Sequence, residues 1–239
     1  MRVATVDGLV TLFYDGSKKL YNDELDWECF TIAADAGDLE SLDISDECKR
    51  YWKERQTWQQ RVIFADTVIR IEGSAFIHCR SLIFIKLSIN LEIINVLAFG
   101  HCNLTSVFIP PRCREVGLLA FTRNTNLTIF SVPNDTELSS NVINDAKLLE
   151  RFPGHGSMNT WMKNINIGPE FALHRVCASF EPTVEMLVDT MEERGGIKAF
   201  QVENSIGVTP SQYLKENPYA YVSEKEVIEK YVLQMMGER

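Results

Sequence analysis

Two groups of histidine and cysteine residues have a spacing that could support chemistry. His174 and Cys177 lie three positions apart in a segment with helical character, so their side chains would share one helix face. Such a pair could act as a nucleophile with its base, or as half of a zinc site. A second pair with ligand spacing is absent from the sequence. A small cysteine- or zinc-dependent enzyme centred on this pair is therefore one hypothesis for the function.

The second group consists of His78-Cys79 and His101-Cys102. If the segments that carry them stack as repeats, the two pairs lie on adjacent rungs about 5 Å apart, and four such ligands could surround a zinc ion. The same column continues as Arg123-Asn124, however. We expect the cysteine position to pack inward and the preceding position to point outward, which separates His from Cys. We therefore predict no metal and no cofactor.

The composition is that of a folded globular protein, with 45% hydrophobic and 24% charged residues among 239 and a net charge of −9. Binding to nucleic acid or to an anionic membrane needs a local cluster of basic residues, which this acidic chain lacks. We expect neither partner. The sequence also lacks a glycine-rich phosphate loop, a Gly-x-Ser-x-Gly motif, a His-Glu-x-x-His motif and a dinucleotide fingerprint, so we expect no catalysis.

Cysteine usage and hydropathy indicate the compartment. The six cysteines are far apart and form no Cys-x-x-Cys pair, which is typical of reduced thiols. The first residues lack the apolar stretch of a signal peptide. The most apolar long window, residues 82–100, contains Lys86 and Glu92, which would be costly in a bilayer. We predict a cytoplasmic protein that is not secreted, and a nuclear location is equally compatible.

An internal repeat organises the middle of the chain. Three segments superimpose when they are anchored on the dipeptides Ala75-Phe76, Ala98-Phe99 and Ala120-Phe121. Each unit also carries an apolar pair with one residue between its members, and a leucine precedes three of these pairs by three positions. The pairs are Val62/Phe64, Ile85/Leu87, Val107/Ile109 and Phe130/Val132, and the leucines are Leu82, Leu104 and Leu127.

This alternation is typical of a strand with one buried face. One unit has too few neighbours to bury its apolar columns, whereas stacking at strand spacing places like residues above like and builds a continuous core. We therefore predict an α+β chain built around a short parallel β-solenoid. The predicted divisions are a hairpin and capping helix in residues 1–60, the solenoid in 61–150 and a small helical domain in 151–239.

The repeat pattern Ile-x-x-x-Ala-Phe-x-x-Cys-x-x-Leu-x-x-Ile-x-Ile-Pro resembles the BspA-type leucine-rich repeat, and Leu104–Pro110 fits it closely. The whole chain is also similar to a large family of such proteins from unicellular algae. The shared features are the segments 5–14, 51–55 and 208–214. This resemblance implies leucine-rich repeats that recognise other proteins, and it implies no catalytic activity.

The two ends of the repeat array are expected to be covered. Asp7-Gly8 between two apolar runs predicts a β-hairpin, and residues 46–58 read as a helix whose Tyr51, Trp52 and Trp58 cover the first repeat. After a turn-rich linker at 151–157, the sequence predicts helices. Pro169 and Pro182 are expected in first turns. Gly195-Gly196 would end a helix, Thr209-Pro210 start another, and Ser223–Glu226 form a capping box.

Part of the helical region resembles an ankyrin repeat. Ala172–Cys177 matches the opening of that repeat, 184–188 its second helix and 204–210 the start of the next unit. The resemblance implies paired helices, and we expect this region to act as a C-terminal cap.

The residues that flank the buried strand pairs form the candidate binding face. They would project outward in two rows and create an apolar patch framed by two cations, which on a soluble protein suggests an interface. The open alternatives are that the C-terminal region covers this face, or that the protein assembles with itself through an open solenoid end. One row comprises Arg61, Phe84, Ser106 and Ile129, and the other comprises Ile63, Lys86, Phe108 and Ser131.

Overall fold

The structure is a computed structural model of the chain. It describes residues 2–6, 9–14, 29–34, 60–64, 68–80, 82–152, 157–166 and 169–237. The chain divides into two compact units, residues 1–150 and 151–239. The predicted helix at 46–58, with its tryptophans, lies outside the described residues.

The first unit is built from short strands. In chain order they are β1 (Arg2–Val6), β2 (Leu9–Tyr14), β3 (Cys29–Ala34), β4 (Gln60–Phe64), β5 (Arg70–Ile71), β6 (Leu82–Lys86), β7 (Ile93–Ile94), β8 (Ser106–Phe108), β9 (Glu115–Val116), β10 (Ile129–Ser131) and β11 (Glu137–Leu138).

These strands form three sheets. The largest has the order β1-β2-β3-β4-β6, a second pairs β10 with β8, and the third has the order β11-β9-β7-β5. β1 and β2 form the predicted antiparallel hairpin, with Val6 opposite Leu9. Every other pairing is parallel. β3 pairs in parallel with both β2 and β4, so strand β2 of the hairpin belongs to the same sheet as the first repeat strands. β3 itself was not predicted from the sequence.

The predicted ladder of Ala-Phe dipeptides is confirmed. The rings of Phe76 and Phe99 stack with centroids 5.1 Å apart and an angle of 9° between their planes, and those of Phe99 and Phe121 stack at 5.2 Å and 8°. Phe64 meets Phe76 edge-on at 5.4 Å, and Phe130 meets Phe121 edge-on at 5.5 Å. The three stacked rings are fully buried. Aromatic stacking therefore runs through the core from one turn of the chain to the next.

The backbone repeats with the side chains. The amide of Phe76 donates to the Ala98 carbonyl and the amide of Phe99 to the Ala120 carbonyl, both at 2.7 Å. Each turn also carries two residues with positive φ, four positions apart. They are Ser74 and His78, Leu97 and His101, Leu119 and Arg123, and Asn141 and Asp145. The left-handed conformation is thus a property of the repeat position, whatever residue occupies it.

Among the side chains that the structure describes, the members of the predicted strand pairs are buried with one exception. Phe64, Ile85, Leu87, Val107, Ile109 and Phe130 are all buried, and Leu82, Leu104 and Leu127 have no exposed surface. Val132 is half-buried. The side chain of Val62 lies outside the described residues. Where their side chains are described, the residues that the alternation placed inward are therefore buried, apart from the half-buried Val132.

The second unit is helical. Its helices are α1 (Met158–Asn164), α2 (Ala172–Cys177), α3 (Val184–Glu193), α4 (Pro210–Glu216) and α5 (Glu224–Gly237), with 3-10 turns at Pro169–Phe171 and Gly196–Gln201. Helix α2 packs against α3 and α4, and α3 packs against α5. The chain as a whole is a mixed α/β protein with parallel strands and helices. Within the described residues, no helix combines the length and the apolar character that a membrane crossing requires.

Local signals in the sequence fix most helix ends. Thr209 and Gln212 form a reciprocal capping box at the start of α4, and Ser223 with Glu226 does the same for α5. Gly195, at φ 97°, follows the end of α3. Pro182 precedes the cap residue Thr183 and lies outside the helix, so its predicted first-turn position is wrong: the Thr183 hydroxyl accepts a bond from the Met186 amide, and the helix begins at Val184.

Candidate recognition surface

The two predicted rows of strand residues are in register. Arg61 lies beside Phe84 and Ile63 beside Lys86 across the β4–β6 pairing. On the other side, Ile129 pairs with Ser106 and Ser131 with Phe108. The β6 and β8 segments are joined by hydrogen bonds from the amides of Asn103 and Thr105 to the carbonyls of Leu82 and Ile83. The pairing of the strands therefore aligns each set of flanking residues as a row.

Part of these rows is not exposed, which corrects the expected apolar patch. Ser106 and Phe108 are each 4% exposed and Ile129 is 3% exposed. Alternation in a strand assigns a residue to one side of the sheet, but it does not determine whether that side is open to solvent. Phe108 and Ile129 are buried residues in this structure, so they are removed from the candidate surface together with Ser106.

Three of the predicted residues keep partial access to solvent. Phe84, Lys86 and Ser131 are half-buried. Arg61 and Ile63 belong to β4, next to β6, and their side chains lie outside the described residues. The candidate strand-face surface is thus reduced to the part around β4 and β6. Ser131, on β10, is the remaining half-buried residue of the two rows.

An exposed apolar pair lies elsewhere on the repeats and was missed by the sequence analysis. Val96 is 45% exposed and Leu118 is 39% exposed, and they are the large apolar residues most open to solvent in the described part of the first unit. The amide of Leu97 donates to the Leu118 carbonyl at 3.1 Å, so the two residues belong to adjacent turns. Their equal position before the Ala-Phe dipeptide was a usable signal.

The column after the Ala-Phe dipeptides separates histidine from cysteine as predicted. Cys79 and Cys102 are buried, whereas the preceding His78 and His101 are half-buried. The Cys102 thiol donates to the Phe76 carbonyl at 3.2 Å. Desolvation by burial raises the pKa of Cys102 well above its usual range, and the nearby Cys79 raises it further. Burial therefore disfavours the Cys102 thiolate that a zinc ion would need as a ligand.

Asn124 takes the cysteine position in the third turn and is fully buried. Its side-chain amide nitrogen donates to the carbonyls of Phe99 at 2.9 Å and Phe121 at 3.0 Å. Its side-chain oxygen accepts from the Leu104 amide at 3.0 Å. One asparagine thus satisfies backbone groups of two successive turns.

His174 and Cys177 share a face of α2, as their spacing predicted, but that face is buried. The Nε2 atom of His174 lies 3.1 Å from the Val208 carbonyl, and Cys177 has no exposed surface. Burial lowers the pKa of His174 and raises the pKa of the Cys177 thiol far above its usual range. Both groups are therefore held in their neutral forms, which disfavours a thiolate nucleophile. Among the described residues, no cluster of three or more His, Cys, Asp or Glu side chains could hold a metal ion.

Comparison with known proteins gives one family match. Residues 55–165 match the family described as the BspA type leucine rich repeat region, in six copies. No curated protein sequence matches the chain at a significant level.

Solved structures with similar chain courses are leucine-rich repeat proteins. That of T. pallidum shares 17% identity over 62% of this chain and 65% of its own, with a TM-score of 0.43. The pneumococcal vaccine antigen PcpA shares 16% identity over 61% and 40%, with a TM-score of 0.38. The protein from Bacteroides ovatus shares 19% identity over 57% and 40%, with a TM-score of 0.32. The matched segments span less than two thirds of each of these chains.

The family match and the stacked turns both indicate leucine-rich repeats. The matched segment contains the Ala-Phe ladder, the parallel strands β4 to β11 and the inward leucines described above. The chain therefore contains a leucine-rich-repeat fold, and residues 55–165 are similar in sequence to the BspA type of that repeat.

Proposed function

We propose that the chain is a protein-interaction module without catalytic activity, and that it uses the strand face of its leucine-rich repeats. The observation that carries this proposal is the parallel register of the rows, in which Arg61 neighbours Phe84 and Ile63 neighbours Lys86. A stack of turns tied by backbone hydrogen bonds presents side chains at fixed spacing, which suits recognition of another protein surface. Leucine-rich repeats generally serve as such modules.

The composition of this surface indicates the kind of partner. Phe84 supplies an aromatic side chain and Lys86 a cation on the same strand, and Arg61 lies at the register position beside Phe84. Aromatic residues and arginine are the side chains that contribute most to binding energy at protein interfaces. We infer a partner protein whose surface places an acidic residue next to an apolar one. Nucleic acid and membrane remain outside this proposal because no basic cluster is present in the sequence.

Several finer assignments belong to the same proposal. We propose that the turns close as a solenoid, that residues 151–239 act as its C-terminal cap with an ankyrin-like helix pairing, and that the protein is cytoplasmic. Self-association through an open end of the array is the alternative mode of interaction, and size-exclusion chromatography across a range of concentrations separates it from binding to a different protein.

The test is affinity capture from native lysate with the full chain as bait, followed by mass spectrometry. The strand-face variant carries Phe84→Ser with Lys86→Glu, and the matched variant carries Val96→Ser with Leu118→Ser on the exposed apolar pair. Phe108→Ser is unsuitable because Phe108 is 4% exposed and its loss would destabilise the fold. We expect the strand-face variant to lose about 90% or more of the captured protein and the matched variant to retain it, since hot-spot losses exceed about tenfold in affinity.

Two outcomes would contradict the proposal. Capture that survives the strand-face variant but disappears with Val96→Ser and Leu118→Ser would move the binding surface to the turn side. A wild-type bait that retains no protein above the level of heat-denatured bait would remove the proposed function itself. Equal thermal midpoints of the two variants establish that lost capture reflects lost contacts.

A further inference from the structure

Two imidazole rings are held side by side on the surface of the repeats. His78 and His101 occupy the same position in successive turns, and their ring centroids are 4.4 Å apart with an angle of 44° between the planes. Both side chains are half-buried, which leaves part of each ring open to solvent. The apolar core of the repeats does not use them, because the adjoining Cys79 and Cys102 point inward instead.

The backbone fixes both residues. The His78 amide donates to the Gly100 carbonyl and the His101 amide to the Thr122 carbonyl, each at 2.8 Å. Both residues adopt the left-handed conformation, with φ of 63° and 58°. Each ring therefore projects from a tight turn whose main chain is bonded to the next turn, and little ordering is needed to bring the rings together.

The separation of the rings matches two ligands of one metal ion. A metal–nitrogen distance of about 2.0 Å places the centre of each imidazole about 3.2 Å from the ion. Two such rings at a right angle around the ion have centroids about 4.5 Å apart, whereas a tetrahedral angle needs about 5.2 Å. The observed 4.4 Å is short enough for one ion to be reached by a nitrogen of each ring, and it is nearer to the value for the right angle. Right-angled nitrogen ligands are characteristic of tetragonal Cu²⁺ sites, and tetrahedral ones of zinc.

We propose that His78 and His101 together bind one Cu²⁺ ion, each through one ring nitrogen, with water in the remaining positions. This inference is independent of the proposed protein recognition. The site ends at His101, because the next residue in the column is Arg123, whose guanidinium lies 3.7 Å from the Asp145 carboxylate. With two protein ligands, the affinity is that of a chelating surface pair and lower than that of a four-ligand site.

The test is a Cu²⁺ titration of the full-length protein, followed by electron paramagnetic resonance. The variants are His78→Asn and His101→Asn, since asparagine accepts positive φ better than other side chains of similar polarity. His155→Asn is the matched control, because it removes a histidine outside the pair. We expect one Cu²⁺ per chain with a tetragonal spectrum showing two nitrogen ligands. Each variant of the pair should bind at least about tenfold more weakly because chelation is lost, and His155→Asn should bind as the wild type does.

A second measurement keeps the test independent of the fold of the variants. Diethyl pyrocarbonate modifies accessible imidazoles of the wild-type protein, and mass spectrometry reports each site. We expect Cu²⁺ to protect His78 and His101 together. The proposal is overturned if both remain reactive at saturating Cu²⁺, if single variants bind with wild-type affinity, or if the spectrum shows fewer than two imidazole nitrogens.

Discussion

At the scale of single residues, Asn124 shows how a polar side chain can replace a core thiol. Cys102 donates one bond, to the Phe76 carbonyl of the preceding turn. Asn124 donates the equivalent bond to Phe99 and adds one to Phe121, while its oxygen accepts from Leu104. A fully buried asparagine is acceptable in this core because its hydrogen-bonding groups are satisfied.

We predict that Asn124→Ala destabilises the protein by about 3 kcal/mol, since it leaves the Leu104 amide and the Phe99 carbonyl buried without partners. Asn124→Cys, which restores the residue of the preceding turns, should lose less because its thiol can still reach the Phe99 carbonyl. The free energy of unfolding from urea denaturation measures both. Thr125→Ala at the neighbouring exposed position is the control. A cost for Asn124→Ala as small as that of Thr125→Ala would show that the three bonds do not stabilise the fold.

His174 gives a prediction for pH. Its Nδ1 atom is buried and has no hydrogen-bond partner among the described residues, and burial lowers its pKa below the value of about 6.5 found in unfolded chains. The folded state therefore keeps His174 neutral at a pH where the unfolded chain already binds the proton. The stability that neutral His174 contributes is present above about pH 6.5 and is lost as the pH falls further.

The measurement is the free energy of unfolding from pH 7.5 to pH 5 for the wild type and for His174→Asn, which does not titrate. We expect the wild type to lose stability more steeply than the variant. Because acid also protonates carboxylates, the difference between the two curves is the informative quantity. Parallel curves would mean that His174 has the same pKa in the folded and unfolded states.

At the scale of elements, the sequence predicts the strands that obey a two-residue alternation. The apolar pairs identified β4, β6, β8 and β10, and those of their inward side chains that the structure describes are buried, with the half-buried Val132 as the exception. The two-residue strands β5, β7, β9 and β11 are too short to show any period. β3 was not predicted for a different reason. Its pairing with β2 and β4 is a long-range property that the local sequence does not contain.

For the candidate surface, the sequence pattern predicted the register of the strands but not the exposure of their side chains. Register was predictable, because the recurring apolar pairs align the strands and place Ser131 beside Phe108 and Ile129 beside Ser106. Exposure was not, since it depends on everything that packs around a strand, and Phe108 and Ile129 are buried. Conversely, Val96 and Leu118 are exposed in turns whose irregular backbone shows no alternation, and the signal that related them was their equal position before the Ala-Phe dipeptides.

The first two repeats differ in length by one residue, and the difference lies in the corner, the short connection between the cysteine and the following leucine. The first unit has two residues between Cys79 and Leu82, whereas the second has one between Cys102 and Leu104. Both leucines have no exposed surface, and the Asn103 amide in the shorter corner donates to the Leu82 carbonyl at 3.0 Å. The corners therefore accommodate variation in length while the strands keep their register.

At the scale of the whole molecule, each unit has its own interior. In residues 1–150 the stacked Phe76, Phe99 and Phe121 rings form the centre. In residues 151–239 Leu187, Met191 and Phe200 have no exposed surface. The functional proposal depends on the first of these interiors, since rows of surface residues exist only if successive turns are stacked in register.

The most direct test of that claim is a nuclear Overhauser measurement between alanine methyl groups in protein labelled with ¹³C-methyl alanine on a deuterated background. Adjacent turns about 5 Å apart predict strong cross-peaks from Ala75 to Ala98 and from Ala98 to Ala120. Ala75 and Ala120, about 10 Å apart, should give a much weaker peak or none. Strong peaks between Ala75 and Ala120, or none between Ala75 and Ala98, would contradict the in-register ladder and the recognition surface that depends on it.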